Sequence, residues 1–223
     1  HGLYTGLHGV SGWDYWTEGL SRNGLEKDGY IYPRPLKKPV ENGNKISWEV
    51  ISDWLTYHKD PVLIERQKWT YHYCDDYFYL DMIWEMEALA DVKIEKCGYG
   101  GPFLRLPWRT EDCGAMMMNS EGQEGRDADQ QRGKWISVSL RPDGFDTSSG
   151  VAVFDHPSND RHPVALRADA SFGIAPSSCI IDEINIPSRS VHQECYRYFI
   201  FNDKINKVLI DQHWNIYAKE NVR

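Results

Sequence analysis

Three long runs of alternating side chains, separated only by tight turns, limit what this chain can fold into. They are Ile46–Tyr57, Val62–Tyr73 and Tyr77–Ala88, joined at Lys59-Asp60-Pro61 and Cys74-Asp75-Asp76. In the third run Phe78, Leu80, Met82, Trp84 and Met86 alternate with Tyr79, Asp81, Ile83 and Glu85. That is the period of a strand with one better-buried face. Strands this long on turns this short run antiparallel, because a parallel pair needs a crossover of about a dozen residues or more.

Shorter strands are predicted over Pro102–Trp108, Ala115–Met118, Lys134–Leu140, Val151–Asp155, Val164–Ala168 and Val191–Phe201. Five glycines before residue 20 predict tight backbone turns at the front of the chain. Asn42-Gly43-Asn44 is a hairpin signal. One helix is expected over Lys204–Glu220, with Ile205, Val208, Leu209, Gln212 and Ile216 as its inward stripe. The sum is an all-β fold: an antiparallel β-sandwich with one C-terminal α-helix, a single domain over residues 1–223.

A net charge of −8 over 223 residues, with no basic tract beyond Arg34–Lys38, argues against nucleic acid as the partner. No apolar stretch approaches the roughly 20 residues of a membrane-spanning helix, so a soluble protein with no membrane partner is expected. The compartment stays open between the cytoplasm and the periplasm or secretion. Five cysteines without a CxxC pair give no zinc motif. Nine Trp, thirteen Tyr and seven Phe suit a sandwich core, and their apolar bodies with polar tips also suit sugar faces.

The densest chemistry follows an apolar strand. After Val151-Ala152-Val153-Phe154 come Asp155, His156, Pro157, Ser158, Asn159, Asp160, Arg161, His162 and Pro163. A strand that delivers so many titratable groups onto a proline-stiffened loop is how a rigid sheet presents a polar site.

Several stretches together resemble the PmoA-family proteins, a bacterial family named by analogy with a methane-oxygenase subunit. They are Gly2-Leu3 through Gly12-Trp13-Asp14-Tyr15-Trp16, Asn119-Ser120-Glu121-Gly122, Arg132-Gly133-Lys134-Trp135, Phe154-Asp155-His156-Pro157-Ser158-Asn159 with Arg161-His162-Pro163, and Ser171–Pro176. The resemblance implies a galactose-mutarotase-like supersandwich and genes that accompany carbohydrate-degrading enzymes. It also implies an N-terminal β-rich segment that this chain lacks. Strands left without that segment would expose edges, so a second copy or a partner chain covering them is expected. Methane oxidation by a membrane subunit would need spanning helices that this sequence does not have.

Acid–base chemistry on a sugar or sugar acid, of lyase, hydrolase or epimerase type, needs a base near working pH and a partner acid. Glu121, His156, Asp155, Arg132 and His162 are the expected catalytic set. Lys134, Asn159, Arg161, Arg167, Trp13 and Trp16 are the expected substrate contacts. For Glu121 the competing role is a turn carboxylate, and for His156 a buried side chain at a strand end. A non-catalytic carbohydrate-binding or scaffold protein is the first alternative. The second uses His1 and His8 as ligands of copper or another divalent metal, resembling the histidine brace of copper polysaccharide monooxygenases. No cofactor is required by the first two readings.

Overall fold

The computed structural model describes residues 2–17, 25–74, 76–107, 114–170 and 173–222. In chain order its strands are β1 (Gly2–Gly6), β2 (Tyr30–Pro33), β3 (Val40–Asn42), β4 (Lys45–Leu55) and β5 (Pro61–Tyr73). Then come β6 (Tyr77–Ala88), β7 (Val92–Ile94), β8 (Gly101–Arg105), β9 (Met116–Asn119) and β10 (Trp135–Leu140). The last are β11 (Ser149–Asp155), β12 (Leu166–Ala168), β13 (Gly173–Pro176), β14 (Ile184–Ile186) and β15 (Val191–Asn202), followed by the helix α1 (Lys207–Tyr217).

The three long runs form the middle of a nine-stranded sheet, ordered β2-β4-β5-β6-β15-β11-β10-β9, with β3 also on β4. A four-stranded sheet, β1-β8-β13-β12, covers one face, and β14-β7 form a small ribbon. Every strand pair is antiparallel. Alternation sorts the side chains. Val151 and Val153 enter the core between the sheets with Met82, Trp84 and Ile174, whereas Ala152 and Phe154 turn outward to a second cluster beneath α1. The fold is therefore an antiparallel β-sandwich with one helix on its outer face.

Three expectations change. The first is the glycine-rich front, whose residues 2–6 form a strand rather than turns. Leu3 and Thr5 alternate with their neighbours, and β1 pairs along its whole length with β8. The second is the edge argument. Tyr77–Ala88 lies between β5 and β15, paired on both sides, so this strand has no open edge to cover. The third is the face of the helix. Ile210, His213, Trp214 and Tyr217 are buried, while Val208, Leu209 and Ile216 stand exposed. Both sets have helical spacing, and the aromatic one wins because it buries more area and because Tyr79 Oη and His213 Nδ1 share a hydrogen bond of 2.6 Å. The helix is also shorter than expected. Asn206 caps it by accepting from the Leu209 amide at 3.1 Å.

One clamp fastens α1 and the segment after it to the sheet. The Arg197 guanidinium on β15 donates to both oxygens of Asp81 on β6, at 2.6 and 2.8 Å. It also donates to both oxygens of Glu220, at 2.9 and 2.8 Å. It lies 4.5 Å from the ring centres of Tyr79 and of Tyr217. Burial pulls the guanidinium's pKa down, but the Asp81 and Glu220 carboxylates override it and hold it above its ordinary value. Among the described residues no helix is long and apolar enough to cross a membrane.

Candidate functional site

Strand β11 ends at Asp155, on the face that looks into the sandwich. The chain then makes two successive turns, closed by Asn159 N donating to His156 O at 3.0 Å and His162 N donating to Asn159 O at 3.1 Å. Asn159 binds this loop to β15 as a strand would. Its Nδ2 donates to Cys195 O at 2.9 Å, and its Oδ1 accepts from Cys195 N at 2.8 Å.

The Asp155 carboxylate is met from three directions. Oδ1 accepts from Asn159 Nδ2 at 2.8 Å. Oδ2 accepts from Val164 N at 2.9 Å and shares a 2.7 Å hydrogen bond with His162 Nδ1. Burial pushes this carboxyl up, and the His162, Asn159 and Val164 donors pull against it. Of the pair, Asp155 is 1% exposed and His162 is 19% exposed. Only the histidine can be reached from solvent. With Nδ1 held by the carboxylate, Nε2 is the ring nitrogen left for a substrate.

Helix α1 supplies the third member. Trp214 donates through Nε1 to the carbonyl of Asp155 at 3.0 Å. Its indole is nearly parallel to the His162 ring, at 9° and 5.9 Å between centres. The Lys134 ammonium lies 4.7 Å from the same indole. Lys134 in turn donates its amide to Ser120 Oγ at 2.9 Å, and that hydroxyl donates to Glu121 Oε1 at 2.9 Å. Glu121, Lys134, Trp214, His162 and Asp155 thus form a connected series along the ends of β9, β10 and β11.

Other expected site residues do different work. His156 is the main correction. Its ring is buried, its edge packs on Tyr217, and its Nδ1 is taken up by the hydroxyl and the amide of Ser158 at 2.7 and 3.1 Å. Burial pushes its pKa down, and its Nε2 is enclosed beside the carbonyls of Tyr217 and Glu220. It is the strand-end histidine of the competing account, and His162 is the histidine of this loop that reaches solvent. Arg132 holds the loop backbone, donating to Pro163 O at 2.8 Å and Arg161 O at 3.1 Å. Arg161 is committed to the carbonyls of Ser178, Asp182 and Glu183. Arg167 forks onto both oxygens of Asp129 at 2.7 and 2.6 Å and reaches Asp169.

Trp13 packs edge-on against His58, and Trp16 packs with Tyr4, Tyr99 and Phe103. His8 Nδ1 lies 3.3 Å from Asp14 Oδ2. Its expected metal partner His1 lies outside the described residues, as do Trp108, Ser171 and Phe172. Among the described residues no three His, Cys, Asp or Glu side chains gather as a metal site.

Sequence reasoning missed Trp214, which sat outside the expected helix stripe. It also missed a second histidine–carboxylate pair on β15. There His192 Nε2 is 3.2 Å from Glu194 Oε1, and Tyr196 Oη donates to Glu194 Oε2 at 2.7 Å. The alternation of His192, Glu194 and Tyr196 along one face of a strand was the available signal.

The sequence pattern of DUF6807, described as a family of unknown function, matches residues 1–215. No curated protein matches the chain. Among solved structures it is similar to the GH36 alpha-galactosidase AgaA from Geobacillus stearothermophilus, with 10% identity and a TM-score of 0.41, over 80% of this chain and 28% of that one. It is also similar to a protein assigned as an aldose 1-epimerase from Klebsiella pneumoniae, with 10% identity and a TM-score of 0.41, over 82% and 58%. A third is a galactose mutarotase related enzyme from Lactobacillus acidophilus, with 9% identity and a TM-score of 0.35, over 77% and 72%. The chain spans less than two thirds of the first two proteins. At these identities and scores the likenesses say nothing about reaction or substrate.

Proposed function

Because this chain belongs to DUF6807, a family of unknown function, its chemistry has to be read from its own residues, and we propose that it acts on a carbohydrate by acid–base chemistry at His162. The supporting observation is a buried carboxylate, Asp155, that fixes Nδ1 of a partly exposed histidine. This arrangement selects the tautomer with a free Nε2 lone pair and stabilises the imidazolium that forms when Nε2 takes a proton. Trp214 holds the ring plane. Lys134 supplies a positive charge nearby for a developing oxyanion or a sugar carboxylate, and Glu121, an exposed carboxyl linked to Lys134 through Ser120, serves as partner acid in this reading. The carbohydrate part of the proposal is supported by the resemblance of the Phe154–Pro163 block to PmoA-family proteins.

A non-catalytic carbohydrate-binding role is the second reading. It draws on Trp48, a partly buried indole stacked on the buried Trp69 across β4 and β5 at 6.2 Å and 14°.

The test is turnover of a panel of reducing sugars and sugar acids, followed by proton NMR. Wild-type protein is expected to convert or epimerise at least one of them. His162→Ala should lose about 100-fold in rate per folded molecule, the usual worth of one general base. Equal turnover in the variant sinks the proposal. Binding of a sugar without any turnover would favour the second reading.

A further inference from the structure

At one end of the sandwich the two sheets do not close on each other. Leu3, Leu104 and Leu106 come from the four-stranded side, and Leu80, Tyr198 and Ile200 from the large sheet. Between them lies a cleft of about 430 Å³ that is open to solvent. Facing sheets ordinarily interdigitate across roughly 10 Å, and interiors leave few voids larger than a water molecule. A space this size is no packing defect. It falls within the range of about 300–1,000 Å³ typical of small-molecule sites.

The wall decides what can enter. Apart from Ser149 and Tyr198, every described residue that lines it is an aliphatic or Phe side chain, a proline or Gly150. Tyr198 is 2% exposed, and its hydroxyl is buried without a hydrogen-bond partner. Among the described residues no charged side chain lines the cleft. A water needs two to four polar partners to be held, and an ion needs more, whereas smaller apolar cavities of about 150 Å³ already take up benzene. A sugar, with a hydroxyl on nearly every carbon, would leave those hydroxyls unpaired here.

We infer that this end of the sandwich binds an uncharged, largely hydrocarbon molecule, such as an alkyl chain or a fused-ring compound. The cleft is built from the β1–β8 side and the β6–β15–β11–β10 side, whereas His162 belongs to the loop after β11. The inference therefore stands whether or not the carbohydrate proposal does.

The probe is N-phenyl-1-naphthylamine, an uncharged dye that fluoresces in apolar surroundings, titrated into the full chain at micromolar concentration. One saturable site is expected, displaced by 1-decanol and not by glucose. Leu80→Asp places a carboxylate in the wall, and Leu104→Trp narrows the space without adding charge. Each should weaken dye binding at least tenfold while the circular dichroism spectrum stays that of wild type. Should Leu80→Asp fail to fold, Leu104→Trp carries the test alone. Absence of saturable binding overturns the inference, as does binding that survives in the folded variants. Light scattering closes the remaining gap: a dimer that dissociates in a folded cleft variant would mean that a second copy fills this space, and would also overturn it.

Discussion

Two buried carboxylates, Glu65 and Asp155, differ in what surrounds them, and the difference separates scaffold from site. Glu65 on β5 is 1% exposed and meets only neutral donors, two of them fully buried indoles. Its Oε1 accepts from Thr5 Oγ1 at 2.6 Å, Trp84 Nε1 at 2.7 Å and Gln67 Nε2 at 3.0 Å, and its Oε2 from Trp54 Nε1 at 3.3 Å. These contacts tie β1 of one sheet to β4, β5 and β6 of the other. Asp155 has the same burial and a comparable number of donors, yet one of them is a histidine whose ring continues toward solvent. A carboxylate wrapped by indoles, a hydroxyl and an amide can only stabilise. One that leans on a partly exposed imidazole can pass the effect of its charge outward.

The sharpest way to break the comparison is to remove the enclosed carboxylate. Glu65→Ala leaves the buried indole donors of Trp54 and Trp84 without an acceptor and should cost about 3 kcal/mol or more of stability, read from the urea midpoint. Turnover of the fraction still folded should not change. A specific loss of turnover would put Glu65 on the functional side of the divide.

Next in size is Asp155→Asn. The amide preserves shape but cannot stabilise an imidazolium, so turnover should fall about 100-fold, equivalent to roughly 2.7 kcal/mol. An unchanged rate would show that the carboxylate is only a loop fastening.

The smallest effect concerns the intermediate case, the His192–Glu194 pair. Burial pulls the His192 pKa down, but the Glu194 carboxylate overrides it and the net direction is up. Burial pushes Glu194 up, but His192, Ser178 and Tyr196 override it and the net direction is down. A histidine with a raised folded-state pKa adds stability that is full below its unfolded value, 6.5, and is lost as pH rises through the folded value. A glutamate with a lowered one adds stability that is full above its unfolded value, 4.5, and is lost as pH falls through the folded value. The pair therefore helps most between those two pH values. His192→Gln should flatten the stability profile above that window by about 1 kcal/mol, the worth of one net hydrogen bond, and leave turnover intact. A loss of turnover there would make the second pair part of the chemistry.

How much of this was legible in the sequence follows the range of the interactions. Tyr77–Ala88 was readable residue by residue because alternation is a local property of a strand paired on both sides. The Asp155–Pro163 loop was readable as a place because its polar density is contiguous. Which histidine in it works was not. His156 and His162 differ only in what lies across from them, the carbonyls at the end of α1 for one and Trp214 with the Asp155 carboxylate for the other. The buried face of the helix was illegible for the same reason. Residues 210, 213, 214 and 217 and the stripe at 205, 208, 209 and 216 are equally periodic, and only the sheet beneath them chooses. Strand β1 was hidden by its glycines, since its partner β8 lies a hundred residues away in the chain and alone makes those residues extended.

The Arg197 clamp gives the end of the chain a reach beyond its own position. Glu220 is held in the same guanidinium grip as Asp81, and Tyr217 lies against that guanidinium one helical turn after Trp214. The indole that carries His162 is thus positioned from beyond the helix end, through a carboxylate fastened to Arg197 on β15. A chain shortened before Glu220, or one in which that carboxylate is neutral, would be altered at the far end of a lever whose short arm is the His162 ring.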